Sequence, residues 1–298
     1  MYENIIGNNE IKKYLIQASE TGKISHSYLF IGTEGIGKKL FAKELAKSIL
    51  CLNKEKNLIC NNCKSCIEFE SNNNPDFYII TPEENSIKIE QIRQLQKKAS
   101  EKPIISQNKV YIIDESDKMT KEAQNSLLKT LEEPPEYVTI ILIAQNENAI
   151  LSTIKSRCTI IHFKPIINKE IKKFLENNYK LENIEENILN SFQGSIGKAI
   201  RLKDKKEELD IIYNIINEIE KKDIIDLMKM AEILYKEKED IQDILEYINT
   251  ILIEKAKTSY LYAECIEIVE ETKKRLKSNA NYDMTIDNMI FSIKEKIS

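Results

Sequence analysis

Tyr28-Leu-Phe-Ile31-Gly32-Thr-Glu-Gly35-Ile-Gly37-Lys38-Lys39 sets a short apolar run, a glycine-rich turn and the opening of a helical pattern end to end. A strand that feeds a helix through such a turn, with a lysine at its end, reads as a phosphate-binding loop. The backbone N–H groups of Gly32 to Gly37 and of the helix N-terminus can cradle phosphates while Lys38 reaches the terminal ones. The motif then fails at its last residue. A phosphate loop ends in Lys followed by Ser or Thr, whose hydroxyl is a magnesium ligand; here Lys39 stands in that place with an ammonium that repels a cation. The stretch therefore predicts a nucleotide-binding fold whose own hydrolytic site is impaired, with binding of ATP and Mg2+ weak or absent. A glycine turn without chemistry is the alternative, and it leaves the agreement of strand, loop, lysine and helix unexplained.

Working outward, Phe77-Tyr-Ile-Ile80, Val110-Tyr-Ile-Ile-Asp114, Val138-Thr-Ile-Ile-Leu-Ile143 and Thr159-Ile-Ile-His-Phe163 are nearly continuous apolar runs, and helical patterns fall at about 38–50, 88–100 and 120–132. Such runs separated by helices predict a parallel sheet covered on both faces. The run from Val110 ends in Asp114 and Glu115. In a phosphate-binding sheet Asp114 would hold the magnesium shell and Glu115 would orient or deprotonate water. Alone, a strand ending in Asp-Glu is an ordinary solvated strand end; the loop upstream supplies the functional reading.

Cys51, Cys60, Cys63 and Cys66 follow the loop as C-x8-C-x2-C-x2-C. Thiolates two residues apart grip one ion from a tight loop, and a fourth completes a closed tetrahedral site, so the spacing predicts one structural zinc. Unrelated free cysteines and a redox CxxC pair both fit this density poorly. Cys158 and Cys265 are left over, and Cys265 reads as a buried thiol.

All six prolines lie at or before Pro165 and all seven glycines at or before Gly197. That shift predicts a change of architecture. Asn168 to Asn177, Glu182 to Phe192 and Ser195 to about Lys203 read as three short helices, the second stopped by Gly194. Beyond them, Ile211-Ile212-x-x-Ile215-Ile216-x-x-Ile219 and Ile244-Leu245-x-x-Ile248-x-x-Ile251-Leu252 carry a helical period and predict a bundle. A formal net charge of −4 gives no general basic footprint, so contact with nucleic acid has to be local or made within an assembly. The start, Met-Tyr-Glu-Asn-Ile-Ile, lacks signal-peptide regions, and no apolar run approaches a bilayer span, so the expected location is the cytoplasm with no membrane contact.

Val110 to Pro135, with its Asp-Glu-Ser-Asp-Lys and Leu-Glu-Glu-Pro-Pro segments, followed by Ser156-Arg157-Cys158, resembles the bacterial replicative clamp loader of DNA polymerase III. The cysteine set, Asn74-Pro75-Asp76 and Ile87-Lys-Ile-Glu-Gln-Ile-Arg93 extend the resemblance over roughly the first 200 residues. It implies a RecA-like AAA+ domain over 1–165 with a zinc module at 51–66, a three-helix lid over 166–205 and an all-α collar over 206–298 that holds five subunits in a ring. It implies as partners gamma/tau motor subunits, delta, a sliding clamp and primer-template DNA in a hetero-oligomer. The family's motor subunits carry Thr after the loop lysine and Arg in the lid motif Gly-Ser-x-Arg; this chain has Lys39 and Gly194-Ser-Ile-Gly197. The γ-phosphate sensor is open among Ala144, Gln145 and Asn146. Arg157 survives, and the resemblance makes it an arginine finger reaching a neighbour's ATP. This pattern is similar to the delta-prime branch.

A motor subunit that tolerates Lys39 is the first rival, and ATPase measurement separates it. A zinc-stabilised nucleic-acid-binding module is another, but Lys54, Lys56 and Lys64 are offset by Glu55, Glu68 and Glu70, with only Phe69 as an aromatic. A small-molecule kinase leaves the Ser-Arg-Cys segment and the helical tail unexplained.

Overall fold

In the computed structural model the described residues are 1–53, 59–181, 184, 186–278 and 280–297. Two compact units divide the chain, Met1–Ile166 and Ile167–Ser298.

The first unit runs α1 (Asn9–Glu20), β1 (Ser27–Ile31), α2 (Lys38–Leu50), α3 (Lys64–Glu70), β2 (Phe77–Ile80), α4 (Ile89–Ala99), β3 (Lys109–Ile113), α5 (Lys121–Glu132), β4 (Val138–Ala144), α6 (Ser152–Lys155) and β5 (Thr159–His162). The five strands form one parallel sheet in the order β2-β3-β4-β1-β5. Alternation explains why near-continuous apolar strands suit it. Tyr28, Phe30, Val110, Ile112, Ile141 and Ile143 point to one face, where Leu15 of α1 and Phe41 and Leu45 of α2 cover them. Leu29, Ile31, Tyr111, Ile113, Ile140 and Leu142 point to the other, under Ile92 and Leu95 of α4 and Leu127 of α5. The expected strands and the three expected helices form within a residue or so of the ranges read from the sequence. Helices α1, α3 and α6 lie outside the helical patterns read from the sequence; over α3 the cysteine spacing implies a tight loop, and the structure forms a short helix instead.

From β1 the chain crosses to β2 at the far edge, returns through β3 to β4 and then passes to β5, so β1 lies between β4 and β5 while β3 lies one strand further on. In such sheets ligands bind beyond the carboxyl ends, where the strand order reverses. The phosphate loop leaves β1 at that end and Asp114 follows β3 there.

The second unit is helical: α7 (Asn168–Tyr179), α8 (Glu186–Ser191), α9 (Ile196–Leu202), α10 (Lys206–Asn217), α11 (Ile224–Lys236), α12 (Ile241–Ala256), α13 (Leu261–Lys277) and α14 (Tyr282–Ile297). Glu182, at which the second short helix was expected to begin, lies outside the described residues, as do Lys54, Glu55 and Lys56. The periodic isoleucines do what their spacing implies: Ile212, Ile215, Ile216 and Ile219 are buried, as are Ile244, Leu245, Ile248, Ile251 and Leu252. Polar pairs join the short helices to the long ones. Arg201 of α9 meets Asp243 of α12 at 2.6 Å, and Gln193 donates to Glu246 at 2.7 Å.

Candidate functional site

The phosphate loop is built by its glycines. A Cβ on Gly32 would lie 2.6 Å from Ile36 Cδ1 and 3.0 Å from the Phe163 carbonyl oxygen, so only glycine lets the loop leave β1 against β5. Gly37, at φ +97°, is the residue before the first turn of α2 and leaves that helix N-terminus without a side-chain cap. Lys38 is buried, and its Nζ donates to the carbonyl oxygens of Gly32 and Thr33, each at 2.6 Å. Burial lowers its pKa, against the pull of the Asp114, Asp117 and Glu34 carboxylates.

Lys39 comes next, and its Nζ lies 2.9 Å from Oδ2 of Asp114. The residue that replaces the metal-ligating hydroxyl thus places its own positive charge on the carboxylate that would serve the metal shell. Magnesium does not fit this arrangement: one ligand is missing and the acidic group is engaged by an ammonium. Asp114 Oδ1 also accepts the Glu115 N–H at 3.1 Å, and Glu115, at φ +50°, pairs with Lys118. Asp117 was not anticipated. Its two carboxylate oxygens accept the N–H groups of Gln145 and Asn146, each at 3.3 Å, fixing the turn after β4. Of the three sensor candidates, Ala144 is buried in β4, and Asn146 Oδ1 is occupied by the Asn148 N–H at 3.0 Å.

Arg157 follows α6 and its side chain is about one-third exposed, at 34%. Its guanidinium donates to the Thr153 carbonyl oxygen at 2.8 Å and lies 2.7 Å from Glu132 Oε1. Its backbone is anchored separately, the carbonyl oxygen accepting from Ser27 Oγ at 2.6 Å. The position is fixed while the charged tip stays at the surface. Arg157 and the Lys38, Lys39, Asp114 and Glu115 group are therefore distinct features of the same unit.

The four cysteine sulfurs of Cys51, Cys60, Cys63 and Cys66 lie within 4.8 Å of one another, close to the roughly 3.8 Å edge of a tetrahedron with Zn–S bonds of about 2.3 Å. Cys51 ends α2, Cys60 and Cys63 come from the loop, and Cys66 from the first turn of α3. N–H groups already point at the sulfurs, Cys60 N to Cys51 Sγ and Cys63 N to Cys60 Sγ, each at 3.4 Å. Burial pushes the Cys66 thiol up. It also pushes at Cys63, but there the Leu52 and Cys66 N–H groups and the Cys60 and Cys66 thiols prevail and bring the value down to about 6. The all-sulfur donor set, closeness and N–H support fit a four-coordinate metal.

A sequence model of the family described as "DNA polymerase III, delta subunit" matches residues 7–167, more than half of the chain. This chain belongs to the DNA polymerase III clamp loader family. It is 41% identical over 162 residues to DNA polymerase III subunit delta' of Bacillus subtilis (strain 168), a match spanning 54% of this chain and 49% of that protein. It is 35% identical over 211 residues to DNA polymerase III subunit gamma/tau of Mycoplasma pneumoniae, spanning 68% and 30%. The chain thus spans half or less of the length of these curated relatives. The crystal structure of a gamma subunit-related protein from Thermotoga maritima superposes over 95% of this chain and 99% of that one, with a TM-score of 0.53 at 17% identity, which establishes a shared fold.

Asn74-Pro75-Asp76 acquires a physical role that spacing alone does not give it. Asp76 is fully buried, and its carboxylate accepts the N–H groups of Ile104, Ile105 and Ser106, each at 2.7 Å. Asn74 donates to the Ser65 carbonyl oxygen and hydroxyl at 2.9 Å, and Ser106 Oγ donates to the Leu50 carbonyl oxygen at 2.9 Å. The motif ties the cysteine-bearing helix α3 and the end of α2 to the loop before β3. In the sequence these residues stand out through the family resemblance, and their turn-forming types fit the approach to β2.

Proposed function

We propose that this chain is a delta-prime-like subunit of the replicative DNA polymerase III clamp loader. It is a largely ATPase-impaired stator that helps hold a pentameric ring and lends Arg157 as a finger to a neighbouring ATP site while a sliding clamp is placed on primed DNA. The observation that carries this reading is the Lys39–Asp114 pair at 2.9 Å. Hydrolysis in this fold relies on a metal ion bridging phosphate oxygens and on a group that orients water. Lys39 removes a ligand and engages Asp114, while Glu115 is paired with Lys118. Gly197 adds to this, since it stands where the motor subunits carry a lid arginine.

Residues 166–205 act as the lid and 206–298 as the collar through which the gamma/tau motor subunits and delta are met. The four-cysteine cluster holds a structural Zn2+. The working location is the cytoplasm; no helix among the described residues is long and apolar enough to cross a membrane.

Steady-state ATP hydrolysis by the isolated full chain tests the reading. Turnover near background is expected. Turnover typical of a ring ATPase and abolished by Lys38→Ala would instead favour the gamma/tau-like motor, a reading that gains from the longer span of the gamma/tau match. A zinc-stabilised nucleic-acid module draws less support, because three of its four cysteines are buried and the helix that follows carries Glu68 and Glu70.

A further inference from the structure

We infer that the phosphate loop of this chain takes a nucleoside polyphosphate without any divalent cation, the Lys39 ammonium standing between the phosphates and Asp114 as a tethered replacement for the ion. The inference rests on the proposal that the site does not hydrolyse ATP, and it adds a ligand state to that site. A metal in such a loop does two things: it neutralises phosphate charge, and it links the phosphates to the acidic residue that ends a neighbouring strand. Lys39 is placed for both. It sits in the first turn of α2, directly after the phosphate-reaching lysine, and its Nζ is 2.9 Å from Asp114 Oδ2.

The rest of the loop keeps what phosphate binding needs. The first turn of α2 contains no acidic residue, its N-terminus has no side-chain cap, and Gly32 tolerates no Cβ. The two acceptors of Lys38 are neutral carbonyl oxygens, and phosphate oxygens in their place add a full negative charge opposite the ammonium. An ammonium has three donors, so Lys39 can keep Asp114 and still reach a phosphate oxygen. A free divalent cation entering the same space meets the positive charges of Lys38 and Lys39 and finds one carboxylate already paired. A metal-free polyphosphate meets a site whose countercharge is built in. The expected signature is nucleotide affinity indifferent to magnesium.

Titration of the full chain with ADP and with ATP by isothermal calorimetry, once in excess EDTA and once in excess Mg2+, tests this. Wild-type dissociation constants are expected to agree within about twofold between the two conditions. Lys39→Thr restores the hydroxyl and removes the ammonium. It is expected to weaken binding about tenfold in EDTA and to regain about tenfold or more when Mg2+ is added. Lys39→Met isolates the loss of charge: about tenfold weaker in EDTA, with no rescue by Mg2+.

Three outcomes overturn the inference: a wild-type affinity that Mg2+ tightens about tenfold, folded wild-type protein that binds neither nucleotide, or a Lys39→Met variant that binds like wild type. These results are separable from failure of the stator reading, which is registered by turnover. Magnesium-dependent binding without hydrolysis defeats only the tethered-cation inference, whereas rapid hydrolysis defeats the stator reading itself.

Discussion

Lys39 Nζ and Asp114 Oδ2 lie 2.9 Å apart, joining the first turn of α2 to the residue that follows β3. The Lys39 side chain is 47% exposed and that of Asp114 16%. A pair with one partner so open to solvent contributes only about 0–1 kcal/mol to folding. Its effect is therefore on the chemistry of the loop. Lys39→Met should leave the urea unfolding midpoint almost unchanged while altering nucleotide affinity. A loss of more than about 2 kcal/mol would make the pair a structural clamp instead.

The cysteine cluster predicts one tightly held zinc per chain. Elemental analysis of purified protein should give a one-to-one ratio, and Cys66→Ser should release the metal and lower the melting temperature by several degrees. Helix α3 should loosen first, because its first turn carries Cys66. Folded, metal-free wild-type protein of unchanged stability would end this reading.

Asp76 makes a prediction about folding that is independent of metal and nucleotide. Its carboxylate satisfies three backbone N–H groups from full burial, and charged acceptors contribute about 1.5–3 kcal/mol per bond. Asp76→Ala strands those donors and is expected to cost at least about 3 kcal/mol in chemical denaturation. Asp76→Asn keeps the shape and one acceptor oxygen, so its cost should be smaller but still above 1 kcal/mol, roughly. A neutral Asp76→Ala would refute the anchoring role.

Arg157 should matter to the assembly and little to the chain. Its contacts with Glu132 and the Thr153 carbonyl oxygen are partly exposed, so Arg157→Ala should cost no more than about 1 kcal/mol. In a reconstituted clamp loader the same variant should join the complex yet reduce DNA- and clamp-stimulated ATP hydrolysis, with a larger defect in clamp loading. Glu132→Gln frees the guanidinium and should not reproduce that loss. Unchanged hydrolysis and loading with Arg157→Ala would remove the trans-acting role.

Local chemistry made the parallel sheet readable. Runs such as Val138 to Ile143 bury both faces, and Gly32, Gly37 and Lys38 punctuate the first strand-to-helix turn in a way few other structures require. The clustering of the four cysteines was readable because close spacing along the chain brings thiols together locally. Helical period likewise gave the isoleucine faces of α10 and α12.

Sequence by itself determined that a hydroxyl is missing after Lys38, since residue identity is a local fact. Only the tertiary structure decided what the replacing ammonium does, because Lys39 and Asp114 are 75 positions apart and meet through a strand order that no local pattern specifies. The same holds for Asp76, whose partners arrive from the far side of α4, and for Arg157, whose guanidinium rests on Glu132 at the end of α5. Propensity and periodicity are short-range quantities, whereas a buried carboxylate or a surface ion pair finds its partner through the packing of elements distant in the chain.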